Sequence, residues 1–582
     1  MTNPLSAADP LGDLLARFPN LPDVAGEGLL FAFSGLDGAT CTASGFVAAI
    51  DGKPFNLLIH TPQRRRLRLQ FPSDPAVAIA TGDVLAGRSA NTPVVLTWTA
   101  WHTLVGAIPA DASAELVEED EVRGEAEAGG VPRYVADGFL VGVVVLRTGP
   151  GRIALAWGKD SAEATARADA GLNADPWAIA GKRLEWFRKV PPALRSGRER
   201  LLNKCAAVMR VNSCTTEGSF RQAWSTPDRV PHRHCWLWDS CFHSVAMAQI
   251  EPATAWSWLK SMLDAQTDDG MVPITTTVAG TKLGKPMTQP PLLAWAVLET
   301  VRAGGDRAAA TWAVPRLERY LEWDLRNRDR NRNDLLEWDI EGNPRCRSGE
   351  SGLDNSPRFD EAGVVDAVDF SVFAAHDCLC LADLHQMLGK ENAAEFWRMR
   401  SRAISQQVHA QLWNHDHGFY EDRDLQGRFT GVRAVSGFMP LLLPDLPADR
   451  ARRLVTMLDD PAHFAAPVPV PSVSLSHPTF STDMWRGPMW VNMNYFIVHG
   501  LRRHGLEDRS VRLAEATLTE VERRWRESGV LFEFFDAKGA VAPPACDRKG
   551  PVGSPFDYRR RYSVIRDYHW TAALTACLLW GR

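Results

Sequence analysis

The amino-acid sequence predicts a multidomain protein in which an N-terminal all-β sandwich precedes an all-α toroid of paired helices. Three observations predict this order: short strand-like runs fill residues 29–157, the composition becomes helical near residue 170, and helical segments then continue to the C-terminus. With 582 residues the chain is also longer than one ordinary domain, so at least two are expected.

The N-terminal strands are indicated by runs of β-branched and aromatic residues. Such runs cover 94–108, 138–147 and 152–158, and clusters of Gly, Pro and Asp separate them. The run over 53–71 alternates apolar and polar residues at its end, which indicates a sheet with one face toward solvent. The acidic run over 115–130 is expected to be an exposed turn or hairpin.

The helical part is indicated by apolar residues at helical spacing and by helix-terminating residues. Pro291 and Gly304 bound one predicted helix. Another, over 392–413, is expected to place five apolar residues on one face: Phe396, Met399, Ile404, Val408 and Leu412. Roughly eleven or twelve such segments follow in pairs, and because no fixed period relates the pairs, a toroid is favoured over a solenoid. The predicted segments are a β-sandwich over 1–170, a helical linker over 171–200 and a helical domain over 201–582.

Charge and composition exclude several classes of function. The formal net charge of −5 argues against binding to nucleic acid or a membrane surface. No run approaches the roughly 20 apolar residues of a membrane span, and residues 1–18 lack the features of a secretion signal. The ten cysteines are scattered and are expected to be reduced. The expected location is cytoplasmic, without nucleic-acid or membrane partners, and the oligomeric state stays open.

Tryptophan is unusually frequent, with 21 Trp against 7 Tyr. An indole face suits the stacking of a sugar ring, and it also fills large helical cores. Most of these residues are expected in the core and a few in a cleft, so the composition supports a carbohydrate ligand without requiring one.

The segment 337–360 is a long polar connection between two helical segments, with Gly and Pro to define its shape. A long loop with several carboxylates is either functional or merely solvated with Asx turns, and the residues alone leave both possibilities open. Its candidate polar residues are Glu350, Asp354, Asn355, Arg358 and Asp360.

A second acidic region contains Glu533, which lies between Phe532 and Phe534 in a short apolar run. The two regions are about 180 residues apart, but the loops of a toroid converge at one mouth. Glycoside cleavage needs such a pair of carboxylates, one to protonate the leaving oxygen and one to act as base or nucleophile.

Eight motifs in fixed order resemble glycoside hydrolase family 63, which includes processing α-glucosidase I and bacterial α-glucosidases, and the related mannosylglycerate and glucosylglycerate hydrolases. The motifs are HRHCWLWDSCFHSVAMAQ, SMLDAQTDDGMVP, TQPPLLAW, ESGLDNSPRFD, LWNHDHGFYEDRDLQGRF, STDMWRGPMWVNMNYF, FEFFDAKGA and YHWTAALTACLL. The resemblance covers about residues 200 to 582, and the first 170 residues are loosely similar to the β-sandwich of that family. It implies that the helical domain is an (α/α)6 barrel.

The resemblance also implies an inverting mechanism. Asp354 of the SGLDNSP motif corresponds to the general acid, and Glu533 of the FEFFD motif to the general base. The acid must be protonated near neutral pH, which burial or a neighbouring carboxylate such as Glu350 or Asp360 is expected to favour. The base must hold a water on the opposite face of the sugar.

The remaining motifs resemble the walls of a glycone-binding site. Asp239 is expected to accept hydrogen bonds from sugar hydroxyls, and Arg486 to bind oxygens through its guanidinium fork. For each residue a structural role is the alternative: packing for the rings, a helix cap for Gln289 and an ion pair for Arg486. The candidate substrate-binding residues are Trp236, Trp238, Asp239, Phe242, Gln289, Arg358, Trp485, Arg486 and Trp490.

Departures from the family pattern leave the substrate open. Met484 stands where the relatives commonly have Tyr, and Ile274 and Thr275 follow DGMVP where they often have His. An insertion over 542–568 carries six Arg or Lys; it is expected to be a solvated flap, with contact to an anionic aglycone such as a glycerate or phosphate as the alternative. No metal or cofactor is expected, because the run 329–340 lacks the central Gly and terminal Glu of a calcium loop.

The sequence therefore predicts an enzyme, an inverting α-glycosidase that acts on α-glucosidic bonds of oligosaccharides or small glucosides. The alternative substrate is a small α-mannosyl or α-glucosyl conjugate such as a glycosylglycerate. A non-catalytic sugar-binding relative is the alternative of another class, and the presence of Asp354 and Glu533 argues against it. A sugar epimerase is disfavoured because the sequence lacks paired histidines on helix faces.

Overall fold

The structure is a computed structural model that describes residues 9–118, 140–195, 197–281, 285–304, 306–361, 363–550 and 563–582. The chain forms two compact units: Met1–Ala223 with Arg524–Leu531, and Trp224–Arg523 with Phe532–Arg582. Most of the acidic run 115–130, and residues 551–562 of the basic insertion, lie outside the described residues. The N-terminal part is rich in β-sheet and the C-terminal part is helical, as the sequence predicts.

The first unit is built on two antiparallel sheets. Its strands are β1 Leu30–Phe31, β2 Ala48–Asp51, β3 Lys53–Ile59, β4 Arg65–Gln70, β5 Ala76–Ala80, β6 Val84–Ser89, β7 Thr92–Ala100, β8 Thr103–Ala107, β9 Ser113–Glu118, β10 Val143–Gly149 and β11 Arg152–Gly158. One sheet has the order β1-β2-β3-β4-β9 and the other β10-β11-β8-β7-β6-β5. The helices of this unit include α1 Pro10–Arg17, α2 Ser161–Leu172, α3 Pro176–Leu184 and α4 Glu199–Val211.

Alternation along β4 gives its sheet one buried and one solvent-facing side. Leu67 and Leu69 are buried. Arg66 and Arg68 point the other way, and both pair with the Asp51 carboxylate, at 2.8 and 2.9 Å. The predicted wet face of the run over 53–71 is therefore confirmed in this strand.

The two sheets meet at an aromatic contact. Trp98 of β7 is fully buried, and its ring centroid lies 5.8 Å from that of Phe31 in β1 and 5.5 Å from that of Phe46. Because aromatic side chains bury large apolar areas, this contact is expected to be a main source of stability for the unit.

From residue 237 onward the chain is mainly helical. The helices are α5 Leu237–Met247, α6 Pro252–Leu263, α7 Leu293–Gly304, α8 Arg307–Asn327, α9 Val368–Met387, α10 Glu391–Gln411, α11 Ala448–Leu458, α12 Val491–Arg503, α13 Glu507–Ser528 and α14 His569–Leu579. Short strands lie outside the two large sheets: β12 Ser213–Cys214, β13 Trp224–Ser225, β14 Cys235–Trp236, β15 Thr275–Thr276, β16 Glu337–Asp339, β17 Val364–Asp366, β18 Trp413–Asn414, β19 Phe419–Tyr420 and β20 Arg423–Asp424.

Helix α9 runs through the core of the second unit and stabilises the start of α7. The Asp377 carboxylate in α9 accepts hydrogen bonds from the backbone N–H groups of Ala294 (2.9 Å) and Trp295 (2.8 Å), in the first turn of α7. These N–H groups have no partner within their own helix, so Asp377 satisfies them. The helix predicted between Pro291 and Gly304 is confirmed over Leu293–Gly304.

The apolar face predicted for the segment over 392–413 is only partly correct. Ile404, Val408 and Leu412 are buried, but Phe396 and Met399 are 47% and 56% exposed. The first buried residues of α10 are instead Ala394, Trp397 and Ser401. Phe396 and Met399 therefore lie on the solvent-facing side of α10. The position of a residue in the helical repeat, and not its size, sets the side to which it points.

Candidate active site

The segment 337–360, called here the carboxylate loop, folds back on itself around Asp354. The backbone oxygen of Asp354 accepts hydrogen bonds from the N–H groups of Arg347 (2.8 Å) and Ser348 (3.1 Å). Gly352 has φ +71°, and a Cβ added there would lie 2.3 Å from the Trp238 ring. A glycine is therefore required for this close approach, which packs the backbone two residues before Asp354 against the Trp238 ring.

Glu350 and Asp360, the carboxylates expected to favour protonation of Asp354, are each paired with an arginine. Glu350 is fully buried and pairs with Arg328 at 2.6 Å. Asp360 pairs with Arg486 at 2.6 Å. Each carboxylate is thus neutralised by an arginine, and the charged group in contact with Asp354 is a cation.

That cation is Lys549, whose Nζ lies 2.5 Å from Asp354 Oδ2. The preceding residue, Arg548, forms a fork with Glu533: its Nε donates to Oε2 at 2.6 Å and its second terminal nitrogen to Oε1 at 3.0 Å. Both cations belong to the segment 546–550, called here the basic strap. Two adjacent residues therefore contact the two carboxylates predicted from motifs 179 positions apart.

The surroundings of the two carboxylates differ. The Glu533 side chain is 3% exposed, and the Asp354 side chain is 18% exposed. Glu533 is also held through its backbone, because its N–H donates to the oxygen of Ile565 at 3.0 Å. Burial lowers the pKa of the Arg548 guanidinium, but the Glu533 and Asp354 carboxylates outweigh this and raise it, so Arg548 stays charged.

The basic strap is held in place by Asp483. Its carboxylate accepts hydrogen bonds from the backbone N–H groups of Lys549 (2.7 Å) and Gly550 (3.0 Å). Lys549 has φ +57°, a left-handed conformation that costs energy in a residue with a side chain. Burial raises the pKa of the Asp483 carboxyl, which these N–H groups partly offset.

Asp239 lies in the first turn of α5 within the electrostatic field of Glu533. The side chain is almost fully buried, and the Tyr568 hydroxyl lies 3.5 Å from Oδ1. Burial raises the pKa of Asp239 well above its usual range, and the charges of Asp228 and Glu533 raise it further. Asp239 therefore lies close enough to Glu533 to feel its charge.

His232 connects this region to the strap. Its Nδ1 lies 2.7 Å from Asp228 Oδ2, and its Nε2 lies 3.5 Å from a terminal nitrogen of Arg548. The imidazole is thus held between a carboxylate and a guanidinium. Trp236, another predicted site residue, is half-buried and packs edge-to-face on this imidazole at 6.0 Å.

Most predicted aromatic residues form a buried wall. Trp485 and Trp490 stack with ring centroids 3.8 Å apart and planes 4° apart, and each is 1% exposed. Trp490 then contacts Phe534, beside Glu533, at 4.9 Å. Phe242 is fully buried and lies 5.4 Å from Trp238. Burial of Trp485, Trp490, Trp238 and Phe242 favours packing over direct sugar stacking.

Gln289 and Arg486 support neighbouring segments. The Gln289 side-chain oxygen accepts the backbone N–H of Trp238 at 3.2 Å, at the start of α5. Arg486 forms a fork with Asp360, at 3.0 and 2.6 Å, and also donates to the backbone oxygen of Asn355 at 3.0 Å. Gln289 thus satisfies an N–H group at the start of α5, and not in α7, the helix that it precedes and for which a cap-like role is the predicted alternative. Arg486 holds the carboxylate loop beside Asp354.

Arg358 is predicted to bind substrate, and the structure does not bring it to the site. Its guanidinium is fully buried and forms a fork with Asp369 at 2.7 and 2.6 Å. Its Nε lies 2.7 Å from Asp422. With two carboxylates against it, Arg358 is a structural ion pair in the core.

Reasoning from the sequence missed Arg548 and Lys549 as individual site residues. A signal that could have found them is present, since an adjacent Arg-Lys pair follows the FEFFD motif by 12 residues. The sequence predicts a solvated flap for the whole insertion. Arg548 is buried instead, so that prediction is wrong for the described part of the insertion.

Among the described residues, no group of three or more His, Cys, Asp or Glu side chains is arranged to hold a metal ion. In the calcium-loop-like run, Asp329 accepts backbone N–H groups of Asn333 (2.9 Å) and Asp334 (3.1 Å). None of the described helices combines the length and apolar character needed to cross a membrane.

Comparison with known proteins agrees with the motifs. A family model described as the mannosylglycerate hydrolase MGH1-like glycoside hydrolase domain matches residues 232–542, more than half of the chain. The chain belongs to this glycoside hydrolase family. The family match includes both carboxylates, and the resemblance to glycoside hydrolase family 63 and its glycerate-conjugate relatives is confirmed.

Individual relatives of this glycoside hydrolase are moderately similar. It is 28% identical over 404 residues to the mannosylglycerate hydrolase of Rubrobacter radiotolerans, a match that covers 53% of the chain and 86% of the relative. The structure of the family 63 mannosylglycerate hydrolase of Thermus thermophilus in complex with glucose has a TM-score of 0.52 at 24% identity, over 66% of this chain and 100% of that one. A bacterial glucoamylase complexed with acarbose has a TM-score of 0.55 at 10% identity, over 96% of each chain. The two structures indicate a shared fold.

Proposed function

We propose that this glycoside hydrolase inverts the anomeric carbon of an α-glycoside, with Asp354 as general acid and Glu533 as general base. The proposed architecture is a β-sandwich over 1–170, a linker over 171–200 and an (α/α)6 barrel over 201–582. One observation carries the function: consecutive residues Arg548 and Lys549 contact Glu533 and Asp354, so the two carboxylates share one site. Glycoside hydrolysis of this kind requires a pair of carboxylates.

The surroundings of Glu533 suit a base. The Arg548 fork gives each Glu533 carboxylate oxygen a charge-assisted hydrogen bond and so fixes the orientation of the carboxylate. In the proposed reaction Glu533 takes a proton from a water molecule as the water oxygen bonds to the anomeric carbon. Asp354 gives a proton to the glycosidic oxygen as its bond to that carbon breaks, and the bonding electrons stay on the oxygen.

The glycone side is proposed to include Asp239 and Trp236. Asp239 is buried beside Tyr568 and within the field of Glu533, where it can hydrogen-bond a sugar hydroxyl. Trp236 is half-buried, unlike the stacked pair Trp485 and Trp490, and so retains some surface for a sugar ring.

Two substrate classes follow from the family. An α-glucoside of a small or oligomeric aglycone is the first. The second is an α-glucosyl or α-mannosyl conjugate of a small acid such as glycerate, since the named relatives hydrolyse mannosylglycerate. The contact of Lys549 with Asp354 favours the second class, because it puts a cation where the leaving group must lie.

Early-time NMR of an α-linked substrate tests the stereochemistry. Inversion should produce the β-sugar first, with the α-anomer appearing only through mutarotation. Appearance of the α-anomer first would replace the proposed mechanism by retention, and absence of hydrolysis across α-glucosides, α-mannosides and their glycerate conjugates would refute the proposed substrates.

A further inference from the structure

His232 is the most exposed member of a chain of four polar side chains that ends at Glu533. It contacts Asp228 on one side and Arg548 on the other, and Arg548 forms the fork with Glu533. The His232 side chain is 20% exposed, whereas that of Asp228 is 3% exposed. The side chains of Arg548 and Glu533 are also 3% exposed. Of these four groups, the imidazole is therefore the one best placed to exchange protons with solvent.

Asp228 and Thr226 fix the position of the imidazole. The Asp228 carboxylate accepts the backbone N–H of His232 at Oδ1 (3.1 Å), and its Oδ2 lies 2.7 Å from Nδ1. The Thr226 hydroxyl oxygen lies 2.8 Å from the backbone oxygen of Asp228 and 2.7 Å from that of His232. A carboxylate at Nδ1 favours the neutral tautomer that carries its proton on Nδ1, with the lone pair on Nε2.

One terminal nitrogen of Arg548 lies between Glu533 and His232. It donates to Glu533 Oε1 at 3.0 Å and lies 3.5 Å from His232 Nε2. A terminal guanidinium nitrogen carries two hydrogens, so it can direct one to the carboxylate and the other to the Nε2 lone pair. A protonated imidazole would instead direct a hydrogen at the same nitrogen and place a second cation beside the buried guanidinium. Because 3.5 Å is long for a hydrogen bond, this repulsion is the larger of the two effects.

The surroundings of the imidazole transmit its charge toward the base. Trp236 packs edge-to-face on the ring at 6.0 Å and carries no charge. In the part of the chain that the structure describes, the charged side chains in contact with the ring are Asp228 and Arg548. Glu533 follows directly behind Arg548. A change in the charge of His232 therefore reaches Glu533 through the guanidinium.

We propose, building on the function proposed above, that His232 is a positioning residue for the general base. Its neutral imidazole receives an N–H of Arg548, and the guanidinium then keeps the Glu533 carboxylate in one orientation. When Nε2 takes a proton from solvent, the imidazolium repels Arg548 and disturbs the fork on Glu533. The base is then no longer held toward the attacking water. Hydrolysis thus requires neutral His232 and is lost as the pH falls through the titration of this imidazole.

The test measures kcat and KM as functions of pH, on the fastest substrate among α-glucosides, α-mannosides and their glycerate conjugates. His232→Gln supplies an acceptor that does not titrate, so kcat at the optimum should stay within about 3-fold of the wild type. His232→Phe keeps a ring and removes the acceptor, so kcat should fall about 3- to 10-fold with little change in KM, the effect of one hydrogen bond. In both variants the acid limb of kcat should move to lower pH.

The matched control is His417→Gln. His417 makes the same i,i+4 contact with a buried carboxylate, that of Glu421, and its ring also lies 3.3 Å from the Asn414 amide. This variant should leave both kcat and the acid limb unchanged. Circular dichroism verifies that each variant is folded, and His232→Gln alone is sufficient for the pH comparison.

Nitrogen-15 NMR of the histidine side chains gives a readout that does not depend on turnover. The His232 signal, identified by its loss in His232→Gln, should show Nδ1–H and a bare Nε2 at the optimum. Nε2 should become protonated over the pH range of the acid limb. A permanently protonated Nε2, an acid limb that stays in place in His232→Gln, or an equal shift in His417→Gln overturns the role of His232. If the wild type hydrolyses no α-glycoside at all, the proposed function fails first, and this role fails with it.

Discussion

Asp354 and Arg358 lie four residues apart in the same loop, yet they end in opposite surroundings. Asp354 keeps 18% of its side chain exposed and meets one cation, Lys549. Arg358 is 1% exposed and meets two carboxylates, Asp369 and Asp422. The first pair has a face toward solvent, whereas the second is enclosed by the core.

A buried ion pair and a partly exposed ion pair differ in how easily they exchange partners. A buried ion pair loses the hydration of both groups, so it is held by mutual contact and is costly to break. A pair with one face toward solvent is easier to exchange. Within the carboxylate loop, side-chain exposure and the number of partners therefore distinguish Asp354 from Arg358.

The largest expected effect is on catalysis. Asp354→Asn and Glu533→Gln should each lower kcat by about 10²- to 10⁴-fold or more, since each removes one proton-transfer group. Steady-state kinetics measure this loss. Thermal denaturation should give a melting temperature that changes little in Asp354→Asn and falls in Glu533→Gln, because the second variant leaves Arg548 buried without its carboxylate. Near-normal turnover by either folded variant would remove that residue from the mechanism.

Arg358→Met should have the opposite profile. It leaves Asp369 and Asp422 buried without their cation, which is expected to cost about 3–5 kcal/mol of the free energy of unfolding. Denaturant unfolding measures this, and the folded fraction should keep its kcat. The matched control is Arg302→Met, which breaks a half-exposed pair with Asp383 and should cost about 1 kcal/mol or less. Equal losses of unfolding free energy in Arg358→Met and Arg302→Met would contradict the expected difference between buried and exposed ion pairs.

Asp239→Asn tests a buried carboxyl that belongs to the site. The amide keeps the shape but changes the hydrogen-bonding pattern, so kcat/KM should fall about 10- to 100-fold. A sugar complex should have hydroxyls within hydrogen-bond distance of Asp239 in the wild type. Unchanged kinetics would mean that Asp239 has a structural role, like Arg358, and does not bind substrate.

The smallest effect is expected on the outer face of α10. Phe396→Gln should change the free energy of unfolding by within about 0.5 kcal/mol, because the ring is 47% exposed. Its control, Ile404→Ala on the buried face, should cost about 2–5 kcal/mol. A large loss in Phe396→Gln would mean that the exposed face has a packing partner.

The change from strands to helices, the family and the two acidic motifs can all be predicted from the sequence. These depend on local periodicity and on residue types at short spacing, which a linear pattern records well. The alternation in β4 and the helix between Pro291 and Gly304 are predictable for this reason. The predicted face of α10 is partly wrong because several registers of apolar residues fit one helical segment, and only neighbouring helices choose between them.

Which charged side chains face one another depends on the tertiary structure. Lys549 meets Asp354 from 195 positions away, and Arg358 turns inward to Asp422. The strength of an ion pair depends on the distance between the charges and on the exclusion of water. Neither quantity can be predicted from the spacing of the two residues along the chain. For that reason the sequence could name the carboxylates of the site, while the fold decided that Arg548 and Lys549 are the cations that accompany them.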